Sequence, residues 1–152
     1  MIKKILVPTD GSERAERAAG FAIELAKATG ASLVFLNIVD EISPAYVYEL
    51  ESGAQIDIAA LDKQRQDFGE EAVARLKADA DAAGLDSTTK VVEGAPWQEI
   101  LNQTEPEGAD HHVLGSHGRP ALAAAVLCHV PVQATPCATV PRQAVPGLGA
   151  AV

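Results

Sequence analysis

Four short apolar runs, separated by stretches with helical periodicity, constrain the fold of this chain more than any other feature. They are Ile5 to Pro8, Ser32 to Val39, Thr88 to Val92 and His111 to Leu114. Runs of four to eight apolar residues bounded by Gly, Pro, Asn or Asp read as buried strands. After the first, Ser12 and Glu13 open a helix to about Thr29, in which Ala15, Ala18, Ala19, Ala22, Leu25 and Ala26 share helical spacing and Gly30 supplies a stop. Strand, helix and strand in that order form a right-handed βαβ unit with parallel strands. From about Ile58 to Ala83, Leu61, Phe68, Ala72 and Leu76 recur among charges, which predicts a long amphipathic helix ended by Gly84. Pro96 starts a further helix with Trp97, Ile100 and Leu101 on its buried side, and Pro106, Glu107 and Gly108 end it. The order β-α-β-α-β-α-β calls for an α/β fold, an open and doubly wound parallel sheet with helices on both faces.

The 152 residues suffice for one domain with a continuous core, and 47% hydrophobic residues with only 4% aromatics suit helices packed on a buried parallel sheet. A formal net charge of −9 argues against nucleic-acid binding, which relies on Lys and Arg to neutralise phosphates. Cys128 and Cys137 are too few for a disulfide framework or a zinc site and read as core thiols. The amino terminus is basic and then apolar, but Asp10 interrupts it too early for a signal peptide, and no stretch is long enough to span a membrane. The expected location is the cytoplasm.

Two strand-end turns carry the chemistry. Gly115-Ser116-His117-Gly118-Arg119 follows Val113-Leu114 and precedes an alanine-rich run. Glycines there let the backbone approach an anion, and the N–H groups of the next helix point at it. Val7-Pro8-Thr9-Asp10-Gly11-Ser12 is a second turn of the same kind, so both could line one crevice. Asp10 reads equally as a turn residue that caps the first helix and as a ligand group. His111 and His112 lie on opposite faces of a strand and cannot share a metal ion.

Together these segments resemble the universal stress protein family, small α/β proteins of which many bind ATP. The resemblance is carried by Lys4 to Glu13, by Gly30-Ala31-Ser32-Leu33 with Val39-Asp40, by Gly94-Ala95-Pro96, by Gly108-Ala109-Asp110 and by Leu114 to Arg119. It implies a five-stranded sheet of order 3-2-1-4-5, with the ligand at the switch point between strands one and four. By the same resemblance, Pro8, Thr9 and Asp10 touch the ribose and phosphates of ATP, and Asp10 bonds a ribose hydroxyl or helps hold Mg²⁺. Val39 matches a position whose backbone meets the adenine edge. Leu114, Gly115, His117 and Gly118 match the phosphate and ribose side, with Arg119 as a nearby cation. The implied role is a small regulator that acts through an unidentified protein partner in stress response, forms a homodimer, and is not a catalyst. A dimeric interaction module without nucleotide and a slow ATPase are the alternatives.

The match departs from the family pattern toward the carboxyl end. The family signature G-x2-G-x9-G-[S/T] begins at Gly115 and Gly118, but Cys128-His129 stands where the final Gly-Ser or Gly-Thr belongs. A lost hydroxyl removes a phosphate hydrogen bond worth about 1.5–3 kcal/mol. Among the 33 residues 120–152 there is one basic residue, Arg142, no acidic residue, and 20 that are Ala, Val or Pro. Ordinary divergence and a change of reading frame after about Arg119 both account for this shift. A helix is expected from Ala121 to His129 and a weak fifth strand at Cys137 to Val140, within a single domain 1–142 followed by a flexible tail 143–152.

Overall fold

The computed structural model describes residues 1–41, 44–53, 57–115 and 142–145. Strands β1 (Lys4–Thr9), β2 (Ser32–Val39), β3 (Ser87–Glu93) and β4 (His111–Gly115) form a parallel sheet in the order β3-β2-β1-β4. Helices α1 (Glu13–Thr29), α3 (Ile58–Ala82) and α4 (Pro96–Glu107) make the crossovers, and α2 (Pro44–Gly53) lies in the long connection between β2 and α3. Order and element boundaries agree closely with the sequence expectation of an open, doubly wound sheet.

Side chains alternate across the strands and divide the core in two. Ile5, Val7, Leu33, Phe35 and Val113 face α1 and α3, joining Ala18, Ala22, Ala26, Val73, Leu76 and Ala80. Leu6, Val34, Leu36 and Leu114 face the other way, joining Ile100 and Ala109 at α4. The alanines of α1 let that helix approach β1 and β4 closely, whereas α3 covers β2 and β3. Because β4 returns to the far side of β1, its preceding helix α4 must cross on the opposite face, which leaves the switch point between β1 and β4.

Local polar groups fix the frame. The Asp110 carboxylate accepts hydrogen bonds from the Lys3 and Lys4 N–H groups, and the Asp110 N–H donates to the Lys4 carbonyl at 3.0 Å, so the entry to β4 is tied to the start of β1. Ser12 caps α1, its Oγ accepting from the Ala15 N–H at 3.2 Å. Pro8, which has no N–H, lies two residues beyond the last registered β1–β4 pair, Leu6↔His112. His112 is fully buried, with Nε2 2.8 Å from the Thr104 hydroxyl on α4, while Thr104 donates to the Ile100 carbonyl at 2.7 Å.

The expected helix at Ala121–His129 and strand at Cys137–Val140 lie outside the described residues. Beyond Gly115, the backbone of β5 (Arg142–Val145) pairs in parallel with β4, from His112↔Arg142 to Gly115↔Val145.

One helix departs from its expected packing. The 25 residues of α3 span ~37 Å at ~1.5 Å each, against ~26 Å for the eight residues of β2 at ~3.3 Å each. The carboxyl-terminal half of α3 sits on the sheet and buries Gly69, Ala72, Val73, Leu76 and Ala80. Its first half overshoots the carboxyl ends of the strands. Phe68, expected in the buried stripe with Ala72 and Leu76, is instead 47% exposed.

Candidate functional site

That overhang makes one wall of a cleft of about 310 Å³ at the carboxyl ends of β1 and β2. Thr9 and Asp10 form its floor, Asn37 to Asp40 its side, and Leu61, Gln64, Arg65 and Phe68 of α3 the facing wall, with Pro96 at the margin. The four α3 residues follow i, i+3, i+4, i+7 spacing and therefore share one helix face.

The polar atoms of the floor are engaged in hydrogen bonds. Thr9 is 2% exposed; its Oγ1 accepts from the Gly11 N–H at 3.1 Å, and its carbonyl accepts from Asn37 Nδ2 at 3.0 Å. Asp10 is 8% exposed and its Oδ1 accepts from the Ser12 N–H at 2.9 Å. Asp10 therefore braces the turn, while Ser12 is the residue that caps α1. The Gly11, Ser12, Ala15 and Glu16 N–H groups are bonded to oxygens of this turn, and Glu13 and Glu16 place negative charge in the first helical turn, where it competes with an anion. The turn itself presents the Asp10 carboxylate.

The side of the cleft is pinned from two directions. The Val39 carbonyl accepts from the Gly94 N–H at 3.0 Å, and the Arg65 guanidinium donates to the Asp40 carbonyl, tying α3 to the exit of β2. Asp10 and Asp40 bring two carboxylates to the lining and Arg65 a cation. On the exposed side of the same half-helix, Lys63 donates to Asp67 at 2.9 Å, and that hydrogen bond holds the lysine pKa above its ordinary value.

Of the residues singled out in the sequence, Thr9, Asp10 and Val39 line this cleft. Pro8 is buried in β1 directly before them. Leu114 turns its side chain into the α4-side core at 3% exposure, and Gly115 lies where a Cβ would stand 3.4 Å from the Arg14 carbonyl oxygen. Both lie at the end of β4 and outside the lining. His117, Gly118, Arg119, Cys128 and His129 fall outside the described residues.

Sequence reasoning missed Asn37, Arg65 and Phe68. Asn37 was visible as the one amide in the apolar run Leu33 to Val39. Arg65 looked like any charge on a solvated face, and Phe68 like core, because helical periodicity does not reveal where a helix outruns its sheet. Among the described residues, no group of three or more His, Cys, Asp or Glu is placed to hold a metal ion, and no helix is long and apolar enough to cross a membrane.

Comparison with known proteins agrees with this architecture. A universal stress protein of Methanocaldococcus jannaschii is 34% identical over 122 residues, covering 80% of this chain and 69% of the relative. A universal stress protein family structure from Burkholderia pseudomallei superposes with a TM-score of 0.74 at 24% identity, over 96% of this chain and 97% of that one. An Arabidopsis thaliana family protein with AMP bound has the same fold, at TM-score 0.65 and 15% identity over 95% and 91% of the two chains. So do a universal stress protein in complex with cAMP, at TM-score 0.60 and 23% identity, and one from Archaeoglobus fulgidus in complex with dAMP, at 0.56 and 16%. The profile of the family matches residues 1–133, most of the sequence. This chain belongs to the universal stress protein family.

Proposed function

We propose that the chain binds an adenine nucleotide in the cleft beneath the α3 overhang and acts as a regulator in stress response, changing its association with a protein partner when the cleft is filled. The observation that carries this reading is the cleft itself: a space of about 310 Å³, floored by Thr9 and Asp10 at the carboxyl ends of the strands. Open α/β sheets take ligands at that place. Relatives of the same fold solved with AMP, cAMP and dAMP support the ligand class.

The geometry supports a division of labour. Asp10 suits a ribose hydroxyl or the Mg²⁺ that accompanies ATP, because the Gly11 and Ser12 N–H donors beside it are already bonded. The phosphates then belong with the glycine motif that starts at Gly115 and includes His117, Gly118 and Arg119 in the sequence. Val39 contributes its side chain; its carbonyl is held by Gly94. By strand alternation the backbone of Ile38 faces the opposite way, toward the cleft, and is the better edge for a base. The pairing of Arg142–Val145 beside β4 supports the five-stranded order, and its place at the outer edge among the described residues supports a homodimer. The reading places a non-catalytic protein in the cytoplasm.

Isothermal titration with Mg-ATP, ADP and AMP, with mass spectrometry of any nucleotide that copurifies, tests this. Binding heat and a copurified adenine nucleotide are expected. No heat at millimolar ligand and no copurified nucleotide would refute it and favour the interaction module to which Cys128-His129 points. ATP turnover abolished by Asp10→Ala would favour a slow ATPase.

A further inference from the structure

Phe68 is the one cleft residue whose placement the fold does not explain. A phenylalanine residue at 47% exposure gives up much of the ~1.5–3 kcal/mol that full burial would contribute. Its position is nevertheless constrained. The atoms Cε1 and Cζ at the tip of the ring stand 2.8 Å from where a Cβ on Gly11 would be, so the ring is seated on the bare backbone of the β1 turn. Gly11 has φ of +77°, a conformation that L side chains rarely adopt, so the turn geometry and the seat of the ring both call for glycine there. Phe68 is thus held at its tip by the floor, carried by the wall, and open at the cleft between them.

We infer that Phe68 is a specificity-determining residue of this site, a platform on which the flat face of the nucleotide base stacks. This rests on the nucleotide reading above and adds the element that reads the base as an aromatic plane. The floor supplies oxygens suited to the sugar, and Leu61 on the same helix face supplies an apolar neighbour. A planar heterocycle lying between the β2 exit and α3 would cover the exposed ring. The position of Phe68 in the overhang means that its replacement leaves the packed half of α3 intact.

The test is AMP titration of the wild type and of Phe68→Ala, Phe68→Leu and Phe68→Trp, with thermal melting to establish that each is folded. Stacking on an aromatic residue predicts that Phe68→Ala weakens AMP roughly 5- to 150-fold. Phe68→Leu, apolar but not aromatic, stays weak, and Phe68→Trp binds at least as tightly as wild type, with quenching of the introduced indole absent from a wild-type control. An AMP affinity of Phe68→Ala within twofold of a wild type that does bind overturns the platform and leaves the nucleotide reading standing. Failure of the wild type to bind AMP overturns both.

Discussion

Replacing Gly69 by alanine isolates the contact on which the cleft floor depends. In a helix interior Gly→Ala contributes about 1 kcal/mol of propensity. At Gly69, however, the new Cβ would lie 2.3 Å from Asn37 Oδ1 and 2.9 Å from Asn37 Cγ. Asn37 is buried and cannot simply swing aside, because its amide nitrogen bonds the Thr9 carbonyl at 3.0 Å. Either α3 is pushed off the sheet, at about 1–3 kcal/mol of overpacking, or Asn37 rotates and leaves the Thr9 carbonyl unpartnered, at about 1–3 kcal/mol. Gly20→Ala on α1 is the control, since Gly20 is exposed with nothing within 4 Å of its Cβ position. Propensity cancels between the two variants, so Gly69→Ala should be less stable than Gly20→Ala by about 1–3 kcal/mol. For a chain of this size the difference is roughly 2–12 °C in melting temperature. In an Asn37→Ala background the penalty should disappear and Gly69→Ala should stabilise. Equal stabilisation by both single variants would refute the reasoning.

Two further outcomes follow from the same bonds. Ser12→Ala removes the cap of α1 and is expected to cost about 1 kcal/mol in urea denaturation; no loss would mean that Asp10 rather than Ser12 supports the helix start. Thr104→Val removes the hydroxyl between the Ile100 carbonyl and buried His112 Nε2, and should lower stability by about 1–3 kcal/mol. A neutral result would show that His112 is held by other groups.

The strands were legible as short apolar runs and the helices as regularly spaced apolar positions between them. Ile5 to Val7 and Leu33 to Leu36 are apolar throughout, as strands buried on both faces must be, and the alanine spacing of α1 permits only one face. Gly108-Ala109-Asp110 was legible as a motif before its reason appeared, the clamp of Asp110 on Lys3 and Lys4. The floor of the cleft could be read from Thr9 and Asp10 because a turn after a buried strand has a fixed place at the sheet edge. Its wall could not. Whether Leu61 and Phe68 meet the sheet or pass beyond it depends on the relative lengths and offset of α3 and β2, and a periodic pattern is blind to offset. Val39 shows a finer limit: the sequence marked it at the end of β2, where it lines the cleft, but that its carbonyl is engaged depends on the Gly94 N–H across the gap to β3.

The overshoot of α3 separates two requirements that usually share the same residues. Positions from Gly69 onward answer to the sheet, and substitutions there are judged by folding. Positions from Ile58 to Phe68 lie past the strand ends, where none is buried and Leu61, Gln64, Arg65 and Phe68 line the cleft. Selection can therefore rewrite the wall, altering which small molecule is admitted, at little risk to the scaffold. In this chain, change in the wall and change in the scaffold can proceed separately, and the first three turns of α3 are where the wall can vary.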